Sequence, residues 1–281
     1  MEDSDATSPS SWWWRATDFY NLLWKMIIRP PRDFYDLEEL GPPKFRLGKK
    51  VYVRKDLQLD GSRGMLECSH FFPAKHPVFC LDLSGSGRSG GQYISLGFHE
   101  EKDLAVVLEH LRAQPFVSSI GLWGRSMGAT TAILRAAQDG ELAACVLDSA
   151  FQDLRTVAEE LVLKGRFPLP SFLLTWALGV VRREVSSRAD FDPLELAPIK
   201  WAPGARCPAF FGVASDDTFV LPHHTQALHD AWGGERQLRV FDGGHNGLRP
   251  KLSLFVCAAT ATVTTAATTQ QQQQQKQCLN H

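Results

Sequence analysis

The sequence predicts an α/β protein with a mostly parallel sheet and helices on both faces, for three reasons. Short apolar runs typical of strands buried on both faces recur along the chain. Helix-patterned segments lie between them. Because parallel strands need a long crossover, alternating strands and helices favour a parallel sheet. The runs are Val78 to Leu81, Ile120 to Trp123, Cys145 to Leu147, Ala209 to Val213 and the weaker Leu238 to Phe241.

The composition fits one full-sized domain with tails and argues against several classes of partner. The chain has 281 residues, of which 44% are hydrophobic. Thirty basic and 31 acidic side chains give a net charge of -1, so we expect no nucleic-acid partner. The six cysteines form no C-x-x-C pair and have no histidine at metal-ligand spacing, so we expect reduced thiols and no metal site.

The chain lacks the usual sequence signals for export or membrane insertion. The first 30 residues show no basic segment followed by a short apolar run and a cleavage site. The longest apolar stretch, Phe167 to Val181, contains two prolines and is shorter than the ~18 to 20 residues of a membrane-spanning helix. We therefore expect a cytoplasmic protein.

The amino-terminal region divides into an acidic, serine-rich tail over residues 1–11, expected to be disordered, and an aromatic-rich helix over residues 12–31. That helix has two interpretations. It packs on the domain, or it lies at a membrane interface with tryptophans among the headgroups, which would give peripheral membrane contact through residues 12–28. Its polar face carries only Arg15 and Lys25, which weakens the second interpretation.

The main domain is predicted over residues 32–256. It opens with a hairpin of two alternating segments, Val51 to Val53 and Leu66 to Phe72, around the turn-forming Asp60-Gly61. A lid-like insertion is expected at about residues 152–206, since this spacing is too long for one crossover. Residues 257–281 form a tail of Ala, Thr and Gln, and such low-complexity sequence rarely packs.

Gly124-Arg125-Ser126-Met127-Gly128 fits the G-x-S-x-G pattern and stands between a buried strand and an alanine-rich helix. A serine at such a strand-to-helix bend needs small neighbours, because the strained backbone brings adjacent positions close together. The bend places Ser126 at the start of the helix, where free N–H groups favour an oxyanion. We therefore predict Ser126 as nucleophile and the N–H of Met127 as one oxyanion donor.

A serine nucleophile needs a histidine base and a carboxylate, in the order serine, acid, histidine along this kind of chain. Asp217 follows the buried strand Ala209 to Val213, and His245 follows the weak last strand. We predict both as catalytic. Asp216 is the rival acid and Asp148 a weaker substitute. His223 and His224 are expected at the surface.

Several motifs together make the chain resemble a known superfamily. They are Arg29-Pro30-Pro31-Arg32, Leu40-Gly41-Pro42, Asp82-Leu83-Ser84-Gly85-Ser86-Gly87-Arg88-Ser89, Gly124 to Gly128, Leu147-Asp148-Ser149 and Gly244-His245-Asn246. Over roughly residues 28–250 the chain resembles the α/β-hydrolases. It is most similar to the intracellular serine aminopeptidase-like (S33-like) or Bem46-like hydrolases, which are related to depalmitoylating members. The resemblance implies a Ser-His-Asp acyl-enzyme hydrolase acting on an ester, thioester or amide of a small or acylated substrate, without cofactor or metal.

The chain departs from that family's pattern at one place. The family has a strand and a His-Gly loop, which donates the second oxyanion N–H, before the strand equivalent to Val78 to Leu81. Here Phe72 is followed by five residues and then Val78, which leaves no room for them. We therefore expect one sheet position and one oxyanion donor, half of the oxyanion hole, to be missing.

Two other functional interpretations fit parts of the sequence. A catalytically impaired scaffold or interaction protein, a truncated variant of an active parent, would keep the fold without efficient turnover. A dinucleotide-binding enzyme is suggested by Gly85-Ser86-Gly87-Arg88-Ser89-Gly90, which fits G-x-G-x-x-G. The next helical pattern begins only near His99, too late for that fingerprint, so a tight turn explains the glycines. The sequence does not predict an oligomeric state.

Overall fold

The computed structural model describes residues 10–72, 77–164, 170–249 and 264–268. In these residues a nine-stranded sheet has the order β1-β2-β3-β4-β9-β5-β6-β7-β8. The strands are β1 Lys44–Leu47, β2 Lys50–Gly61, β3 Gly64–Phe72, β4 Val78–Leu81, β5 Ile120–Arg125, β6 Ala144–Asp148, β7 Ala209–Ala214, β8 Arg236–Phe241 and β9 Thr264–Thr268. The helices are α1 Ser10–Ile28, α2 Glu100–Arg112, α3 Met127–Ala136, α4 Leu154–Leu163, α5 Leu174–Ala189 and α6 Pro222–Ala231.

The predicted mostly parallel sheet is confirmed. From β4 through β9 to β8 every neighbouring pair is parallel, and β1 to β4 form an antiparallel meander. The expected hairpin is present and longer than its apolar pattern indicated, because β2 and β3 pair from Gly61 opposite Gly64 to Val53 opposite Phe72. β1 is a short edge strand that the sequence pattern did not reveal.

One large apolar cluster holds the central strands to helices α2, α3 and α6. The helical positions predicted from the i, i+3, i+4, i+7 spacing supply its α2 side, and they are nearly inaccessible to solvent. They are Leu104, Val107, Leu108 and Leu111. The pattern of the sequence was sufficient here because burial of one helix face is a local property of the chain.

A second apolar cluster joins α1 to helices α4 and α5. Leu23, Trp24 and Ile28 are buried in it, and the guanidinium of Arg188 lies 4.3 Å from the centre of the Trp24 ring. This face of α1 is therefore packed on the domain, while Met26 on another face is exposed. Within the described ranges, no helix combines the length and the apolarity that crossing a bilayer requires.

β9 corrects the expectation that a central sheet position is missing. This strand lies between β4 and β5 and runs parallel to both, with Ala266 opposite Phe79 on one side and Leu122 on the other. It belongs to the carboxyl-terminal tail, which was expected not to pack. Without it, the facing edges of β4 and β5 would carry unpaired N–H and C=O groups in the middle of the sheet.

Backbone pairing explains why this segment can fill the gap. The ladder uses main-chain groups that every residue except proline carries, so side-chain periodicity is not required. Threonine, which forms three of the five residues of β9, favours extended backbone because it is β-branched. The chain between Phe241 of β8 and Thr264 of β9 is longer than the dozen or so residues that a parallel connection needs.

We predict that Ala266→Pro destabilises the protein. Proline removes the N–H of a residue that pairs within the sheet centre, which should lower the free energy of unfolding by about 1 to 3 kcal/mol. Urea unfolding monitored by circular dichroism measures this. Gln274→Pro, in the same tail but outside β9, is the control and should change the free energy by less than ~0.5 kcal/mol. Equal midpoints for both variants would contradict the role of β9.

Candidate active site

Ser126 stands at a strained bend between β5 and α3. Its φ of 51° and ψ of −119° lie outside the regions that residues with side chains normally occupy, which costs of order 1–3 kcal/mol. Hydrogen bonds on both sides hold the bend, from Ser126 N to Asp148 O at 2.8 Å and from Thr130 N to Ser126 O at 3.0 Å. The serine is half-buried while Arg125 before it is buried, so the bend brings Ser126 towards solvent at the carboxyl end of β5.

The glycines of the motif are required by close backbone approach, as the sequence predicted. A Cβ atom on Gly124 would lie 2.1 Å from the carbonyl oxygen of Gly128, far inside contact distance. Met127 is the first residue of α3, so its N–H is one of the first-turn donors without a partner inside the helix. The bend thus combines a partly exposed hydroxyl with a helix amino terminus that favours negative charge.

Asp217 and His245 form a direct pair. Nδ1 of His245 lies 2.6 Å from Oδ2 of Asp217, and the other carboxylate oxygen accepts the N–H groups of Phe219 and Val220. The rings of Phe219 and His245 pack in a T-shaped arrangement, with 5.3 Å between their centroids. These contacts fix the orientation of the ring and place its proton on Nδ1, facing the carboxylate.

Burial of the Asp217 carboxyl would by itself raise its pKa, but its partners reverse the effect. The hydrogen bond and charge of His245, together with the N–H groups of Val220 and Phe219, bring the pKa of Asp217 below its ordinary value. The carboxylate is therefore ionised at neutral pH. An ionised acid at this position stabilises an imidazolium when His245 takes up a proton.

The rival acids lie close by but contact other groups. Asp216 receives the N–H of Gly243 on its Oδ2 and donates its own N–H to Gly243 O, so it anchors the loop that carries His245. Asp148 accepts hydrogen bonds from the guanidinium groups of Arg125 and Arg249. Of Asp148, Asp216 and Asp217, it is Asp217 whose carboxylate contacts the His245 ring.

Ser126, Asp217 and His245 follow β5, β7 and β8, which are parallel members of one sheet. Their carboxyl ends therefore lie at the same edge, as the sequence predicted. Asp148, at the end of β6, connects the two sides of this edge, since its backbone oxygen binds Ser126 N and its carboxylate binds Arg249. Arg249 in turn contacts the carbonyl oxygen of His245 at 3.5 Å.

The expectation for His224 was wrong, because this residue is fully buried rather than at the surface. Its Nε2 lies 3.0 Å from Glu160 on α4, and its Nδ1 faces the N–H of Gln152. Burial lowers the pKa of His224, although the nearby Glu160 acts in the opposite direction. The lowered pKa favours the neutral ring. His223 is largely exposed, as expected, and its Nε2 also contacts Glu160 at 3.1 Å.

Glu160, His223 and His224 could supply ligand atoms to a metal ion, which the cysteine spacing had not suggested. The proton distribution on His224 argues against it. A backbone N–H points at Nδ1, so the ring proton sits on Nε2 and is donated to Glu160. A metal-bound histidine instead usually donates from its other nitrogen to an acceptor. The arrangement fits a hydrogen-bonded attachment of α4 to α6.

The glycine-rich loop after β4 turns its carbonyl groups, and not its N–H groups, towards a cation. The Arg32 guanidinium donates to the carbonyl oxygens of Gly87 at 2.6 Å, Gly91 at 3.1 Å and Ser86 at 3.2 Å, and also to that of Ser89. A phosphate-binding loop needs inward N–H groups, so this geometry disfavours a dinucleotide. It also gives the Arg-Pro-Pro-Arg motif a structural role.

We predict that Gly124→Ala disrupts the bend. The added Cβ meets backbone atoms that cannot move independently, so the variant should lose at least ~1–3 kcal/mol of stability through overpacking. Gly179→Ala on the exposed side of α5 is the matched control, because it meets nothing within 4 Å and should stabilise the helix by about 0.5–1 kcal/mol. Thermal unfolding of both variants measures the difference. Comparable melting temperatures would show that the bend tolerates a side chain.

A second prediction concerns acid stability. The pKa of Asp217 is depressed in the folded state, so its contribution to stability is present above the unfolded value of about 3.9 and is lost as the pH falls through the folded value. Asp217→Asn should therefore lose less unfolding free energy than wild type when the pH is lowered from about 6 to about 3. Urea unfolding at each pH measures this.

The exposed Asp60→Asn should follow wild type across the same pH range. Identical acid dependence of wild type and Asp217→Asn would contradict the assigned pairing with His245.

Solved structures of similar shape define the class of the fold. An acetyl xylan esterase of Paenibacillus sp. R4 superposes with a TM-score of 0.58 at 13% identity, covering 93% of this chain and 97% of that one. An esterase of Pyrococcus furiosus gives a TM-score of 0.57 at 19% identity, covering 78% of this chain and 90% of the other. Together with the serine bend and the parallel sheet, these matches show an α/β-hydrolase fold.

The sequence comparisons then give the family. The model of the S15 family, described as X-Pro dipeptidyl-peptidase, matches residues 63–245, and the chain belongs to this family. An uncharacterized protein of Bacillus subtilis (strain 168), YqkD, is 30% identical over 181 residues, which cover 61% of this chain and 56% of the relative. The chain thus spans a little over half the length of that relative.

Proposed function

We propose that the protein is a serine hydrolase that cleaves an ester, thioester or amide through an acyl-enzyme intermediate. The observation that carries the proposal is the 2.6 Å contact between His245 Nδ1 and Asp217 at the sheet edge where Ser126 occupies its strained bend. A serine hydroxyl is weakly nucleophilic at neutral pH, so a base oriented by an ionised acid is the feature that such a site needs.

In the proposed mechanism, Ser126 Oγ attacks the substrate carbonyl carbon as its proton passes to Nε2 of His245. The tetrahedral oxyanion is stabilised by the N–H of Met127 at the start of α3. Collapse breaks the bond to the leaving group, which takes the proton from His245. Water then attacks the acyl group with His245 again acting as base, and Ser126 is released. Asp217 stays ionised throughout and stabilises the imidazolium.

The comparisons support an enzyme of the hydrolase type, since the two structural neighbours described above are esterases and the matched family is one of peptidases. Within that class, placement in the S33-like or Bem46-like branch, an acylated substrate, a cytoplasmic location and peripheral membrane contact through residues 12–28 stay predictions. The amide option includes peptide bonds, which the family name makes worth testing first.

The rate of the proposed hydrolysis depends on whether a second N–H group stabilises the oxyanion. The His-Gly loop of the related hydrolases has no counterpart between Phe72 and Val78, and β9 supplies the sheet position from a different part of the chain. One missing donor typically costs about 10² to 10³ in rate. We therefore expect turnover below that of a complete α/β-hydrolase, with the nucleophile and base still functional.

A fluorophosphonate probe tests the proposal directly. Full-length protein should be labelled covalently at Ser126, identified by mass spectrometry of the modified peptide. Ser126→Ala should abolish labelling, and His245→Gln should slow it by about 10³-fold or more, because the base is lost. Ser187→Ala, which changes an exposed serine on α5, should still be labelled.

Absence of labelling in well-folded wild-type protein would instead favour the alternative function, a hydrolase-fold scaffold without efficient turnover. Labelling at another serine would reject Ser126 as the nucleophile while leaving an enzymatic function in place.

A further inference from the structure

Three charged side chains are buried together at the catalytic edge of the sheet, and the proposed mechanism uses none of them. The carboxylate of Asp148 lies between the guanidinium groups of Arg125 and Arg249, at 2.8 Å and 2.9 Å. The exposed fractions of the three side chains are 8%, 6% and 9%. Burying two cations with one anion carries a high desolvation cost, so their retention beside Ser126 calls for an explanation.

Asp148 connects to the nucleophile through both its main chain and its side chain. Its carbonyl oxygen accepts the N–H of Ser126 at 2.8 Å, and its Oδ2 accepts Nε of Arg125, the residue before the serine. Arg125 and Asp148 are opposite each other in the register of β5 and β6. The bend that carries Ser126 is therefore held against the end of β6 at two consecutive residues.

Arg249 connects the same carboxylate to the loop that carries the base. Its Nη2 donates to Oδ1 of Asp148 at 2.9 Å and contacts the carbonyl oxygen of His245 at 3.5 Å. Its Nη1 donates to the carbonyl oxygens of Gly244 at 3.3 Å and Gly247 at 3.0 Å. One planar guanidinium thus binds three carbonyl groups of the histidine loop and the carboxylate next to the serine.

We propose that Asp148 and Arg249 are positioning residues that set the separation of Ser126 from His245. This inference rests on the proposed function. Asp217 orients the imidazole ring and Asp216 anchors Gly243, and these side-chain contacts lie within the acid and histidine loops. Arg249 and Asp148 extend from the histidine loop to the backbone of the nucleophile.

The chemistry explains why arginine is used. Acyl transfer requires the reacting atoms to be placed within a fraction of an ångström, and a displacement of ~1 Å can cost about 10²-fold in rate. A guanidinium presents several donors in a rigid plane, whereas the ammonium of lysine is a single point on a flexible stem. Lysine would keep the positive charge at position 249 but could not bind the carboxylate and the loop carbonyls in the same geometry.

The test compares Arg249→Lys with wild type, using the fluorophosphonate probe and a short-chain p-nitrophenyl ester. Asp148 keeps its partner Arg125 in this variant, so the fold should be retained. We expect the maximal inactivation rate and kcat to fall by about 10²-fold, with the half-saturating probe concentration and KM nearly unchanged. A variant that is only less stable than wild type would have a lower melting temperature, without a fall in kcat at nearly unchanged KM.

Arg112→Lys is the matched control. Arg112 also binds two carboxylates, those of Asp139 and Glu141, but it lies at the end of α2 away from the site. It should leave both kinetic constants within about twofold. Chemical rescue gives a second readout, because added guanidinium ion should restore part of the activity of Arg249→Ala and none of that of Ser126→Ala. Should Arg249→Lys fail to fold, Arg249→Ala with rescue serves as the measurement.

The two proposals fail in distinguishable ways. If wild type is labelled at Ser126 and a folded Arg249→Lys variant reacts at the same rate, the positioning role is overturned and the serine hydrolase proposal stands. A folded wild-type protein that is not labelled would overturn both.

Discussion

The parallel ladder from β5 to β8 is the constraint on which the site depends. Its register places Arg125 opposite Asp148 and Asp148 opposite Gly212, so the carboxyl ends of β5, β6 and β7 are level with one another. Ser126, Asp217 and His245 follow the carboxyl ends of β5, β7 and β8 within a few positions. The functional groups are thus assembled by backbone hydrogen bonds, and the loops need only orient them.

Two residues with strained backbone lie at this same edge of the sheet. Ser126 and Ser149, which follow β5 and β6, both have φ near 50°, a region that side chains disfavour. Hydrogen bonds to the neighbouring strands oppose this strain, since Ser126 N binds Asp148 O and Ser149 N binds Gly212 O. Strained residues persist where their surroundings over-determine them, and this is typical of sites that hold a group ready to react.

Local signals in the sequence predicted the parts of the site that local chemistry determines. The G-x-S-x-G spacing at a strand-to-helix junction located the bend, and the order of the acidic and histidine loops located the pair of Asp217 and His245. Apolar runs and helical spacing predicted the sheet and α2, because the burial of one strand or helix face is encoded in the local spacing of its apolar residues.

The parts that were missed depend on distant contacts. β9 pairs through backbone groups that carry no sequence signature, so a tail of Thr and Ala gave no sign of a central strand. His224 is fully buried and contacts Glu160 on α4, 64 residues earlier in the chain, and the local sequence His223-His224 does not encode such a distant contact. Arg249 acts through carbonyl oxygens of its own loop and a carboxylate 101 residues away, so nothing near it in the chain identifies its role.

A crystal structure of the fluorophosphonate-treated protein would show whether Ser126 and His245 meet as nucleophile and base. We expect a covalent bond between phosphorus and Ser126 Oγ, with Nε2 of His245 within about 2.6–3.2 Å of that oxygen or of a phosphonate oxygen. An imidazole paired with Asp217 but turned away from an unmodified Ser126 would contradict it.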